Sequence, residues 1–187
     1  MTARREDEDA QLGTRLIHHG RVVHLSIDQV RFPDGSEGEL ELIRHPGASA
    51  VLPVVGELGD EDPEVLLLRQ YRYAAGGYIY EVPAGLPDPG ESWEDCARRE
   101  LEEEAGVVAG RLVHLTDIHT TPGFTNEIIH LFAAFDLTQG TTHYDDDEFL
   151  GVEALPLSSV LELAKSGQMT DAKSLVTILY AARFLFP

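Results

Sequence analysis

The chain has 187 residues, 43% of them hydrophobic, with 14 basic and 33 acidic side chains and a formal charge of −19. That length and hydrophobicity suit one domain with a sizeable core. The charge repels nucleic acid and free diphosphate alike, so an anionic substrate needs divalent metal and locally placed arginines. The lone Cys96 excludes an internal disulfide, no apolar run approaches the length of a membrane span, and residues 1–9 lack the apolar stretch of a signal peptide; a protein of the reducing cytoplasm, with no membrane attachment and no nucleic-acid partner, is expected.

Residues 1–13 are polar and charged and read as a frayed tail. Residues 14–18, 21–32 and 38–44 read as short strands around a Pro33-Asp34-Gly35 turn, forming an antiparallel N-terminal sheet. His18, His19 and His24 fall here, but their neighbours alternate as strand residues do and no cysteine or carboxylate joins them at ligand spacing. Residues 48–55 and 64–70 are apolar runs rich in Val and Leu, separated by an acidic turn, and read as core strands of a mixed sheet. The second run leads into Arg69-Gln70-Tyr71-Arg72-Tyr73, where either arginine can offer its guanidinium fork to phosphate or join a surface salt bridge. Residues 78–85 form a short strand into the next loop.

Ser92 is a good N-cap with Asp95 three residues on, Gly106 is a good C-terminal stop, and no Pro or Gly falls between them, so the pattern predicts a helix over 93–105. Trp93, Cys96, Ala97 and Leu101 recur at helical spacing and can face a core, which makes Cys96 packing rather than a nucleophile. Glu100, Glu103 and Glu104 sit at i, i+3 and i+4 on another face. Like charges at those spacings repel unless a cation lies between them, and hard oxygen ligands suit Mg²⁺ or Mn²⁺. An isolated Glu-rich run would be a solvated helix face; the residues around this one argue otherwise.

Gly85, Glu91, Arg99, Glu100, Leu101, Glu103, Glu104, Gly106 and Val107 follow the order G-x5-E-x7-R-E-(apolar)-x-E-E-x-G-(apolar). This stretch of 23 residues resembles the Nudix box without a departure. The resemblance implies an α/β (α+β) fold, the Nudix α/β/α sandwich with a mixed central sheet, whose box helix holds Mg²⁺ for hydrolysis of a nucleoside diphosphate linked to another moiety. It implies Glu100, Glu103, Glu104 and the Ala84 carbonyl as metal ligands, Arg99 as the partner that orients a ligand carboxylate, and a supporting role for Glu91. Arg72 matches an arginine of the family, and Glu81-Val-Pro-Ala84-Gly85 matches its approach to the box, with Glu81 either near substrate or bracing the loop.

Beyond the helix, residues 111–120 read as a strand that enters Thr121-Pro122-Gly123-Phe124-Thr125-Asn126-Glu127. Pro122 stands sixteen residues past Gly106, the register that distinguishes the ADP-ribose pyrophosphatase subgroup; with Gly123 and Phe124 it resembles that subgroup's substrate loop. Residues 128–136 are a further core strand feeding the loop 140–150, whose Asp145-Asp146-Asp147-Glu148 run resembles the subgroup's mobile acidic loop. Asp146 and Glu148 have the spacing of its two carboxylates, one the proposed general base, although the first is usually Glu. A solvated acidic turn is the plainer alternative. Residues 152–157 read as a last strand, and 158–166 and 171–186 as two structural helices.

The expected organisation is a tail and antiparallel β-region over 1–46, followed by a hydrolase domain over 47–187. In the family the N-terminal region pairs across a homodimer. The expected activity is Mg²⁺-dependent hydrolysis of ADP-ribose to AMP and ribose 5-phosphate. The box leaves other nucleoside diphosphate derivatives open, among them sugar nucleotides, NADH and dinucleotide polyphosphates. A non-catalytic ADP-ribose-binding sensor is the remaining alternative, disfavoured by the full set of box glutamates.

Overall fold

The computed structural model describes residues 10–143 and 149–186. Seven of the eight residues of β4 (Ala48–Val55) are buried, as expected of a strand covered on both faces. Around it lie β5 (Glu64–Arg72), β6 (Gly77–Glu81), β7 (Ala84–Gly85), β8 (Val107–His119), β9 (Ile128–Gln139) and β10 (Leu150–Pro156), with helices α1 (Trp93–Ala105), α2 (Leu157–Lys165) and α3 (Ala172–Phe184). The sheet order is β10-β5-β4-β9-β8, with β6 paired to β5 and β7 to β4. β4 runs parallel to β9 and antiparallel to β5 and β7, which makes the sheet mixed.

Because side chains alternate along a strand, successive residues feed two cores. Ala50, Leu52 and Val54 of β4, with Leu131, Ala133 and Phe135 of β9, pack with Leu157 and Val160 of α2 and Ile178 and Ala181 of α3. Val51, Phe132 and Ala134 face the other way and meet Ala97, Leu101 and Ala105 of α1. The result is the expected α/β/α sandwich, with α1 the helix packed on one face among the described residues and α2 and α3 on the other. Several boundaries differ from the sequence reading: the strand into the box is broken between β6 and β7, β8 begins at Val107, directly after the helix stop, β9 runs on to Gln139, β10 begins at Leu150, and the first strand of the chain begins at Gln11, inside the stretch read as a frayed tail.

These elements belong to a unit comprising 47–118 and 128–187; a second unit comprises 1–46 and 119–127. The latter carries a meander of β1 (Gln11–His19), β2 (His24–Arg31) and β3 (Glu37–Arg44), antiparallel throughout. Its central buried charge is Asp28, which accepts from Thr14 Oγ1 at 2.6 Å and pairs with Arg44. The segment 119–127 joins this unit through main-chain and side-chain bonds: the Ile43 N–H donates to the Phe124 carbonyl and the His45 N–H to Asn126 Oδ1, each at 2.8 Å.

Candidate metal and substrate site

Local chemistry sets α1. Ser92 Oγ accepts the Asp95 N–H at 3.1 Å, and Gly106 closes the helix at φ 67°, returning its N–H to the Glu102 carbonyl. Cys96, Ala97 and Leu101 are fully buried, so the helix is pinned by that face, and its glutamates are aimed by what remains. Burial pushes the Cys96 thiol up to about 11, which fits packing and not nucleophilic chemistry.

Arg99 is the hub of those glutamates. Its Nε and Nη2 donate to the two carboxylate oxygens of Glu91, both at 3.0 Å, while Nη1 donates to Glu100 at 2.7 Å and Glu103 at 2.9 Å. Nη2 also donates to the Leu86 carbonyl at 2.8 Å. All five N–H groups of the fork are therefore used, three carboxylates share one permanent cation, and the Glu91 bonds hold its carboxyl below the usual range.

The strand that precedes the helix supplies the other wall. The Ala84 N–H donates to Glu104 Oε2 at 2.8 Å, and Glu104 is buried. A side chain at Gly85 would overlap the Glu100 carboxylate, so glycine is the floor on which that carboxylate rests. Carboxylate oxygens only, in graded exposure and pre-aimed by a backbone donor and a glycine floor, fit a hard divalent cation. Gly85→Ala should leave the fold intact, because a flexible carboxylate can move. It should also weaken activation by Mg²⁺ about tenfold or more, read as a higher half-saturating concentration. An unchanged Mg²⁺ requirement would mean that Glu100 does not serve the metal from this position.

The Arg72 fork is engaged within the protein. Its Nε and Nη2 donate to the two oxygens of Glu81 at 2.7 and 3.0 Å, and Lys173 of α3 closes on the same carboxylate. Asp171 accepts from Lys173 at 3.0 Å, and Ser174 Oγ accepts the Val82 N–H at 2.8 Å, so the start of α3 braces the approach to the box. Lys173, Asp171 and Ser174 escaped the sequence reading, which took this helix as structural. Asp171 caps α3 by accepting the Ser174 N–H at 3.0 Å, but nothing local in the sequence ties Lys173 to a glutamate 92 residues away.

Burial would raise the Glu81 carboxyl, yet the Arg72 fork and Lys173 overcome it and hold Glu81 below its ordinary value. A depressed folded value means that this stabilisation is complete above the unfolded value near 4.5 and is lost as pH falls through the lower folded one. Acid unfolding followed by circular dichroism should therefore show a shallower dependence on pH below about 4.5 in Glu81→Gln than in the parent. Equal slopes would remove Glu81 from that transition.

Arg69 lies over the Tyr78 ring at 5.0 Å and, with Tyr78, Phe149, Leu150, Gly151, Val152 and Glu153, lines an open groove of about 440 Å³. Asp146 and Glu148, the two candidate general bases, lie outside the described residues. Pro122, Gly123 and Phe124 belong to the smaller unit, in a tight turn where the Phe124 N–H returns to the Thr121 carbonyl at 3.1 Å and the Phe124 ring is half exposed. Among the described residues no helix is long and apolar enough to cross a membrane.

The three-layer fold and a carboxylate helix entered over a glycine floor define a class. A family model described as the NUDIX domain matches residues 44–176, and the chain belongs to the Nudix family. An ADP-ribose pyrophosphatase of Bacillus subtilis is 36% identical over 175 residues, which cover 92% of each chain. A methanol dehydrogenase activator of Bacillus methanolicus is 35% identical with the same coverage. A crystal structure of an ADP compounds hydrolase shares the fold at a TM-score of 0.79, with 24% identity over 94% of this chain and 92% of that one.

Proposed function

We propose that this Nudix pyrophosphatase hydrolyses the diphosphate bond of ADP-ribose, giving AMP and ribose 5-phosphate, with Mg²⁺ as its usual metal and Mn²⁺ as a substitute. The observation that carries the reading is the aiming of three α1 carboxylates at the entry to the helix: Arg99 holds Glu100 and Glu103, Gly85 lies under Glu100, and the Ala84 N–H holds Glu104. The register of Pro122 and the 36%-identical relative support ADP-ribose over other diphosphates.

Glu100, Glu103, Glu104 and the Ala84 carbonyl would hold the divalent ion. When bound, it supplies charge neutralisation at the phosphate oxygens and makes a water molecule more acidic. Arg99 holds the Glu100 and Glu103 carboxylates in place, and Glu91 fixes the Arg99 fork in turn. Asp146 or Glu148 takes the proton of the attacking water. Arg72, set by Glu81, and Arg69 offer positive charge to the diphosphate, and Pro122, Gly123 and Phe124 form a loop against the substrate.

In this reading the protein acts on a small nucleoside diphosphate in the cytoplasm, as a homodimer joined through its N-terminal β-region, residues 1–46. Supporting the dimer, no hydrophobic side chain of the smaller unit is buried among the described residues, while Leu16 of β1 is 63% exposed. Light scattering of the purified protein tests it: a monomer at working concentration removes the dimer from the account.

The activity is tested by product analysis with Mg²⁺ and then with EDTA, against ADP-ribose, NADH, a diadenosine polyphosphate and a GDP-sugar. AMP and ribose 5-phosphate formed fastest from ADP-ribose, and only with metal, is the expected result. Preference for another substrate would overturn the weight given to Pro122 while keeping the box. Tight binding of ADP-ribose without turnover would make the protein a sensor.

A further inference from the structure

On the sheet, away from the α1 carboxylates in the chain, two imidazoles converge on one carboxylate oxygen. His114 Nε2 of β8 and His130 Nδ1 of β9 each lie 2.7 Å from Asp117 Oδ1. The three atoms lie within 4.8 Å of one another, and their side chains are 52%, 16% and 48% exposed for His114, His130 and Asp117. Both rings are held from behind: His130 stacks on Trp93 at 4.2 Å and His114 meets the Phe132 ring edge-on at 5.3 Å.

We propose that His114, Asp117 and His130 form a second metal site, distinct from the glutamates of α1, that takes a late first-row transition ion such as Zn²⁺ or Ni²⁺. The chemistry of the donors separates the two sites. Imidazole nitrogen favours Zn²⁺, Ni²⁺ and Cu²⁺, whereas an all-oxygen set favours Mg²⁺ and Mn²⁺. Three protein ligands at an open surface leave a coordination position for water, and aromatic contacts limit the ring motion that binding must otherwise freeze.

The geometry demands little rearrangement. Ligand bonds of about 2.0–2.2 Å at tetrahedral angles separate neighbouring donor atoms by roughly 3.3 Å, so each N···O distance must open by a fraction of an ångström. Rotation of the half-exposed His114 and Asp117 side chains supplies that. The proton that each neutral ring shares with Asp117 moves to the opposite nitrogen by exchange with solvent, so no net proton is released; a protonated ring releases one.

Trp93, the single tryptophan of the chain, is a reporter built into the site. The test titrates Ni²⁺ into the full chain with the α1 glutamates saturated by Mg²⁺, while tryptophan fluorescence is followed. A saturable quench, reversed by Zn²⁺, is expected. His114→Gln and Asp117→Asn should each raise the apparent dissociation constant about tenfold or more. Both residues are exposed enough for the variants to fold, which a thermal melt checks. Glu103→Gln should leave the quench unchanged. No saturable quench, a quench equal in His114→Gln and the parent, or one lost in Glu103→Gln would each overturn the second site. None of these outcomes bears on ADP-ribose hydrolysis.

Discussion

Glu103→Gln should lower the turnover of ADP-ribose by about 10²–10³ while leaving the far-ultraviolet spectrum and melting temperature near those of the parent. Of the three candidate ligands Glu100, Glu103 and Glu104, Glu103 is the most exposed, at 34% of its side chain, and among the described residues its carboxylate accepts from Arg99 Nη1 at 2.9 Å and from no backbone donor. Gln keeps the size and one acceptor oxygen, so that bond can persist and the buried face of α1 is untouched. What disappears is a negative charge in a site where a bound divalent ion would contribute several kcal/mol of charge stabilisation, and about 1.4 kcal/mol is a tenfold change in rate. The loss should fall mainly on kcat, with the Mg²⁺ dependence shifted upward. Activity within twofold of the parent would show that this helix is not the metal-holding element, whatever its family pattern.

How far the site was legible follows from where its determinants lie along the chain. The box helix was legible to its ends because its signals are local: Ser92 and Gly106 bound it, and Cys96, Ala97 and Leu101 recur on the buried face. The layers were legible because the apolar residues of β4 and β9 fill both faces of the strands. The break between β6 and β7 was less so. Pro83 has no N–H to give a ladder, yet its carbonyl accepts from Val51 at 2.9 Å, so the chain stays beside β4 without being continuous strand. The bond from Ile43 to Phe124 joins positions far apart in sequence and left no local trace, which is why residues 119–127 could be read for substrate contact but not for the β-region they join. The same is true of Lys173, a surface lysine by composition that became the second cation on buried Glu81.

Arg99→Ala should destabilise the metal-free protein by about 2–3 kcal/mol, and Mg²⁺ should recover much of the loss. Removing one partner of a fully buried pair costs about 3–5 kcal/mol, and the smaller figure reflects an arginine that is 26% exposed and partly screened. The direction is set by the charges left behind. Glu91 and Glu100, with side chains only 14% and 12% exposed, and Glu103 beside them, would lose the cation that binds all three. Part of that repulsion is relieved by protonation and part by a divalent ion, so the variant gains more stability from Mg²⁺ than the parent does, by the linkage between binding and folding. Arg99→Lys should fall between the two: it keeps the charge, but three donors on one nitrogen cannot reproduce a fork that engages Glu91 with two nitrogens while a third reaches Glu100 and Glu103. Urea denaturation of the three proteins in EDTA and in saturating Mg²⁺ measures all of this. An equal loss with and without Mg²⁺ would mean that Arg99 acts through its bond to the Leu86 carbonyl, holding the loop before the helix, and not through the charge it shares with the glutamates.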